Sequence, residues 1–502
     1  MSSRSEVDSH NRRALKLWEQ GRQEEATQAW QGAYALDPDN VETLTNLAWA
    51  YGLNGQGAEA LPLAKRAVAL RPDDWRVHHV LGQIHYQTGR YEEAISAYST
   101  ALEAGSNDVF VHCDLADALY SAGRFSEAAQ SYAEVVAAHP DDAYAHLWRG
   151  WSLAQIGDEP EATACFERAL KLAPNWPEGL YAVGQSCCGR GEFARARDLL
   201  KKAMKGYPLE DEEGRAAAAC ELGNALRGLD EAGAAADLYR QALALDPTHP
   251  TARFNLGLAY SDLGDFEKAI SEFDIILQLE PEDAETLVER GSGYLALDRH
   301  GDAVDSYRAA LDIVPGHADA HSGLGLAYYM MGLYDASAEQ YAHAAALSPD
   351  DSWAQYNLGV ALEAAGRQAE AEAAFEQGLG MGGDEAELCA AVARALTSHD
   401  RNPEAAIQAA RRACGIDPDS ADAFDALAMA LYSAGRYEEA LTPSQEAARL
   451  DPEAAEYAYD LGVIQDATGD VAGARLSFTR ALELAPDFEE AREALRRLEN
   501  GV

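Results

Sequence analysis

A period of 34 residues runs through this sequence and constrains it more than any other feature. A unit repeated at that length is one supersecondary element that buries its apolar face only by stacking on its neighbours. Leu81-Gly82, Tyr98 and Ala101 return as Leu256-Gly257, Phe273, Ile276 and Pro281, and again as Leu461-Gly462, Phe478, Ala481 and Pro486. In that register the units are 7–40, 41–74, 75–108, 109–142, 143–176, 177–210, 216–249, 250–283, 284–317, 318–351, 352–385, 387–420, 421–454 and 455–488. Fourteen units of 34 cover 476 of the 502 residues.

Each recurring position has a physical task. The twentieth is alanine in thirteen units and Ser337 in the other, and the eighth is Gly or Ala in all units except the one that carries Arg394. Small residues at both places let two antiparallel helices approach closely. Glycine stands fifteenth in eleven units, where a left-handed residue would end the first helix. Proline stands thirty-second in twelve, and the acids that follow it, such as Asp73, Asp141 and Asp350, read as caps of the next helix. The aromatics at the twenty-fourth position (Trp30, Tyr98, Tyr132, Phe166, Tyr239, Phe273, Tyr307, Tyr341, Phe375, Phe478) read as core.

Position by position, these residues resemble the tetratricopeptide repeat, with its W-x2-L-G-x2-Y, A-x3-F and P signature. The resemblance implies an all-α fold, an α-solenoid in which helix-turn-helix units stack into a right-handed superhelix whose concave groove is lined by the first helix of each unit. Two places break the rhythm. Asp211, Glu212, Glu213, Gly214 and Arg215 read as an inserted, charged, flexible segment. Around Gly378, Gly380, Gly382 and Gly383 the proline is lost, Ala386 reads as an extra residue, and the following unit carries Arg394 at the small position and Arg401 at the turn glycine. Treated as joints, these breaks divide the array into residues 7–210, 216–385 and 387–488, followed by a capping helix at 489–499 with Ala491, Ala494, Leu495 and Leu498 on one side.

Forty basic residues against eighty-four acidic ones leave a formal charge of −44, which disfavours nucleic acid and anionic membranes as partners. The N-terminus carries no apolar run of signal-peptide length, and no stretch reaches the ~20 apolar residues that cross a bilayer. Seven cysteines without paired metal-ligand spacing fit a reducing compartment, so the sequence reads as cytoplasmic. Catalytic motifs are missing: there is no phosphate-cradling glycine loop and no Gly-x-Ser-x-Gly elbow, and the repeats leave no room for a separate catalytic domain. His78, His112 and His146 share the fourth position of consecutive units. At ~10 Å per helix layer they do not converge on one ion, so they read as packing histidines, and neither a metal nor a cofactor is expected.

The resemblance places the second, fifth, ninth and twelfth or thirteenth residues of each first helix on the groove. These positions hold Trp49, Tyr86, Tyr120, Tyr144, Trp151, Tyr181, Phe254, Tyr329, Trp353, Tyr356, Tyr432 and Tyr459, interleaved with acids such as Asp117, Asp262, Asp422, Asp425 and Glu456. Such a groove suits partner segments with apolar and basic residues. Some relatives hold an extended peptide by asparagines at the sixth position, here Asn46, Asn255 and Asn357. The carboxylate clamp of others is absent, since the corresponding places read Arg76 and Val80, Phe110 and Asp114, and Glu285 and Glu289. The reading is a non-enzymatic scaffold or adaptor that binds partner peptides or helices in the groove and assembles a multiprotein complex. The competing reading is a targeting or regulatory subunit of an enzyme or of a secretion or pilus machine.

Overall fold

The computed structural model describes residues 3–106, 108–380, 385–397 and 402–500. Within them the chain is an all-α solenoid of twenty-nine helices, fourteen hairpins and a closing helix, with no strand. The turns explain the hairpins. Helix Ala143–Gln155 starts on Asp142, whose carboxylate accepts the Ala145 N–H, and helix Glu159–Leu172 folds back against it. Between the two, Gly157 stands at φ 79°. The Asp158 N–H reaches the Leu153 carbonyl at 3.0 Å and the Gly157 N–H reaches that of Ala154 at 3.0 Å, a Schellman closure. All eleven fifteenth-position glycines take positive φ, and Asp230 and Asp298 hold the same conformation at 60° and 57°. Arg401, the remaining fifteenth residue, lies outside the described residues, as do Gly382 and Gly383.

The capping acids are one residue later than the sequence reading put them. Asp74, Asp142 and Asp351 are the caps, not Asp73, Asp141 and Asp350. A cap must immediately precede the first helical residue, and these helices begin at Trp75, Ala143 and Ser352. Asp141 instead pairs with Arg168 at 2.9 Å.

The core is a ring laid over a bare backbone. All ten aromatics of the twenty-fourth position are buried. Most of them press on the eighth-position residue of their own hairpin: a methyl group added at Gly82, Gly150, Gly257 or Gly359 would stand between 2.4 and 2.5 Å from a ring carbon of Tyr98, Phe166, Phe273 or Phe375. The twentieth-position alanines are completely buried in almost every hairpin.

The chain divides into two compact units, Met1–Asn255 and Leu256–Val502. In the first, the insertion after residue 210 is helix rather than a flexible segment. Asp211 accepts the Gly214 N–H, and Glu212 to Arg215 become the first turn of helix Glu212–Arg227, with Gly214 against the Tyr207 ring. Asp-x-x-Gly with two acids in the first turn favours a helix start, so the charges that suggested a loop stabilise a helix instead.

In the second unit the register of one hairpin changes. Helix Ala386–Thr397 begins at Ala386, so Ala386 is its first residue and not an extra one. The buried small position is filled by Ala393, while Arg394 is exposed and pairs with Asp422 at 2.8 Å. The additional residue therefore falls between Thr397 and Pro403, where the next helix starts. Ala491 and Ala494 of the final helix, Glu489–Asn500, are buried, with Leu495 and Leu498 packed beside them.

Two substitutions test this account. Asp298→Gly removes a side chain from the left-handed region and is expected to stabilise the chain by about 0.5–1 kcal/mol. Gly257→Ala drives a methyl into Phe273 and is expected to cost about 1–3 kcal/mol. Thermal and urea unfolding of the two variants reads both signs.

Candidate partner-binding surface

In the first unit, aromatic side chains line successive first helices. Trp49 meets Trp18 with ring centroids 4.6 Å apart, and Trp18 meets the buried Trp30 at 5.8 Å. Tyr86 packs on Tyr91 at 5.6 Å and its hydroxyl lies 3.2 Å from that of Ser121. Tyr120 makes edge contacts with Phe125 at 5.2 Å and Trp148 at 5.1 Å, and Trp148 lies 6.0 Å from Tyr144. Trp151 rests on Phe166 at 4.8 Å and faces Tyr181 at 6.1 Å. Trp151 and Phe166 wall an open cleft of about 680 Å³, closed on other sides by Pro160, Gln185 and Arg190. Trp49, Tyr86, Tyr120, Trp151 and Tyr181 are half-buried, while Tyr144 is exposed and Trp30 and Phe166 are buried.

Polar groups sit between the rings. Asp117 accepts hydrogen bonds from the Tyr132 hydroxyl and, at 3.0 Å, from that of Tyr144. Burial pushes the Asp117 carboxyl above its ordinary range, and the two tyrosines pull it back. The Asn255 amide donates to the Asn224 carbonyl oxygen at 2.8 Å, which also accepts the Tyr239 hydroxyl at 2.7 Å. The Asn255 side chain is thereby tied into the fold on one side. Phe254, on the same helix, is half-buried.

In the second unit, Tyr329 meets Tyr334 at 5.3 Å, and Tyr356 lies between Trp353 at 5.5 Å and Phe375 at 5.9 Å. The Trp353 indole donates to Glu385 at 2.6 Å. Tyr459 packs on Phe478 at 5.7 Å and on Phe488 at 5.0 Å. Asn46 and Asn357 are half-buried on their first helices.

The profile of the tetratricopeptide repeat matches residues 45–109, 113–178, 220–284, 323–386, 356–421 and 426–488, and a second profile of the same repeat matches 291–332. The chain belongs to the tetratricopeptide repeat family. No curated protein matches this repeat array in sequence. Among solved structures it is similar to a chain of the APC/C hetero-tetramer Cut9-Hcn1, at 14% identity over 98% of this chain and 96% of that one, with a TM-score of 0.41. It is also similar to a chain of Naa15/Naa10 bound to HypK-THB, at 15% identity over 98% and 96%, with a TM-score of 0.34. The crystal structure of MamA matches 32% of this chain and 94% of its own, at 28% identity and a TM-score of 0.30.

Within the repeat array the fourth-position histidines act as latches. His78, His146 and His321 each place Nε2 against the carbonyl of a proline six residues earlier, at 2.7, 3.1 and 3.1 Å. Arg253 and Arg492 make the same reach to Pro247 and Pro486. His112 has Ser106 in place of that proline and turns to Glu134 at 3.7 Å. Sequence reading passed over Trp18, Trp148 and Asn224. Trp18 occupies the twelfth position of the first hairpin and Asn224 the ninth of its own, so position alone was enough to find both.

The deepest acid of the array is Asp425, 9% exposed, with Oδ1 lacking a hydrogen-bond partner among the described residues. Asp460, on helix Ala455–Ala467, is its acidic neighbour. Burial, then Asp460 and Asp422, push the Asp425 carboxyl up, against the pull of Arg394; burial and Glu456 push Asp460 up as well. Both shifts favour the protonated form of the pair, so a proton there is kept to higher pH than on a free carboxyl.

The sign of the pH dependence follows. A carboxyl whose pKa rises on folding leaves stability intact below its unfolded value, about 4, and removes it as pH rises through the folded value. The thermal midpoint of the native chain is therefore expected to fall between about pH 5 and pH 8 more steeply than that of Asp425→Asn, whose amide does not ionise. Parallel curves for the two proteins would show that no proton is held there.

Proposed function

We propose that the chain is a non-enzymatic interaction scaffold that receives peptide or helical segments of partner proteins on its first helices and assembles them into a complex. The observation that carries this reading is the series of half-buried rings in the first unit, Trp49, Tyr86, Tyr120, Trp151 and Tyr181, each braced from behind and separated by acids. Rigid aromatics give large contact area at little rotamer cost, and the surplus of carboxylates selects segments that pair apolar with basic residues. Membership of a repeat family built for protein contacts supports the reading. So does the spread of contacts over many hairpins, which gives affinity by multivalency without one dominant site. No helix among the described residues is long and apolar enough to cross a membrane, and all seven cysteines are free thiols, which suits a reducing, cytoplasmic setting. The division into three arms is kept in this proposal, with the second arm opening on helix Glu212–Arg227 and the third on helix Ala386–Thr397.

The test captures partners from native lysate with the full chain and with Trp151→Ala/Tyr181→Ala/Asn255→Ala, both checked by circular dichroism for intact helix. Partners held by the groove are expected to be lost from the triple variant, with affinities down by at least about tenfold. An unchanged partner set would move binding off the first helices.

A further inference from the structure

One hairpin breaks a rule that the others keep. The residue just before each second helix is polar or charged in every other hairpin, and in most of them it works for the helix it precedes, Gln56, Arg90 and Glu231 being polar without a capping bond. Arg22, Arg124, Arg299, Arg367 and Arg436 pair three residues ahead with Glu25, Glu127, Asp302, Glu370 and Glu439. Asp158 and Asp470 cap the backbone at the same place. In the hairpin of helices Ala318–Met330 and Tyr334–Leu347 this residue is Leu333, which makes no capping bond and is 47% exposed. Its neighbours add apolar surface to it, as Leu53, Ile156 and Leu263 do singly at the same places of other hairpins. Met330 and Met331 are 54% and 47% exposed, and Leu326, one turn before Met330, is 42% exposed. The hairpin tip gives up a cap and an ion pair and gains no buried contact, so the folded chain alone does not account for its apolar residues.

The tip also borders a cavity. Met331 and Leu333 form one side of an open cleft of about 700 Å³, with Tyr328 at its base and the start of helix His300–Ile313 as the opposite wall. The charges on that wall are unequal in what they leave free. Arg299 pairs with Asp302 at 2.8 Å and stacks on Tyr294, and Arg308 donates to the Tyr328 hydroxyl at 2.6 Å. Asp298 and Asp305 line the cleft with no ion-pair partner among the described residues, whereas Asp335 on the second helix lies 3.8 Å from Arg367.

We propose that this hairpin tip is a second docking surface, made of residues other than the aromatic series of the first unit, and that it takes a basic amphipathic helix of a partner protein. Leucine-like anchors of that helix cover Met330, Met331 and Leu333, and its Lys or Arg side chains meet Asp298 and Asp305. Methionines suit such a surface because their flexible thioethers adapt to the anchor. The free carboxylates select the sign of the partner. A second copy of this chain would bring a formal charge of −44 to an acidic rim, which opposes self-association here.

The probe is a synthetic amphipathic peptide of about 18 residues, long enough to form a helix once bound, built of Leu and Lys; a matched Leu/Glu peptide is its control. Binding to the full chain is read by fluorescence anisotropy at about 0.15 M salt, where long-range attraction is screened. In the Met331→Ser/Leu333→Arg variant the arginine restores the residue type of the other hairpins and the serine removes its exposed apolar neighbour; the variant is expected to fold, which circular dichroism checks. The Leu/Lys peptide is expected to bind the native chain and the groove variant Trp151→Ala/Tyr181→Ala alike, and to lose at least about tenfold in affinity on the tip variant. The Leu/Glu peptide is expected not to bind. Equal affinity for native and tip proteins, or a loss confined to the groove variant, overturns the proposal. A native chain that sediments as a dimer while the tip variant is a monomer also overturns it, because the surface would then be covered by a second copy. Failure of the groove reading in lysate capture leaves this result untouched, since the two variants share no residue.

Discussion

Most hairpins depend on one contact, an aromatic ring of the second helix pressed on the backbone of the first. The ring can reach that backbone only where no Cβ intervenes or only a small one does, which is why the eighth position is Gly or Ala and the twentieth is almost always Ala. From this approach follow the short turn, the left-handed residue that closes it, and the cap that opens the next hairpin. The interior is as closely packed as a crystal, so ring, glycine and alanine hold the hairpin jointly. Arg394 shows how strictly the rule operates. When the sequence seems to put a charged side chain in the small position, the helix begins one residue earlier, Ala393 takes the buried place, and the arginine turns outward to Asp422.

The same repetition decides what could be read from the sequence. Hairpins, turn glycines and core aromatics were legible because each is written a dozen times over, and any misreading in one hairpin is corrected by its neighbours. The errors fall where the sequence is written once. The segment Asp211 to Arg215 has no counterpart elsewhere, and its charges look like a loop until Asp211 is seen to cap a helix. The capping acids were misplaced by one residue because two acids are adjacent at Asp73-Asp74 and Asp141-Asp142, and only the helix start distinguishes cap from bystander. For the groove, the aromatics could be assigned to first helices, but not the division of labour within each ring. Tyr181 and Trp151 brace one another as well as facing outward, and the Asn255 amide is already bonded to Asn224. Sequence position gives the face of a helix; it does not give how much of a side chain the neighbouring layer has already used.

Charge shows how framework and function divide one composition. The basic residues are few, and the structure uses many of them locally: at hairpin turns, where Arg22, Arg124, Arg299, Arg367 and Arg436 hold the carboxylate three residues on, and at helix starts, where Arg253 and Arg492 reach a proline carbonyl. Exposed pairs of this kind contribute no more than about 1 kcal/mol each. Their larger effect is to remove arginine from competition for the remaining acids. With forty basic residues against eighty-four acidic ones, at least forty-four carboxylates have no cation of their own even if every basic residue is paired. Those acids repel one another across the surface, and a partner carrying Lys or Arg relieves that repulsion in addition to forming its own contacts. In the proposed function an acidic array of this kind favours basic partners before any particular pocket is filled, and the rings along the first helices are proposed to decide which of them stays bound.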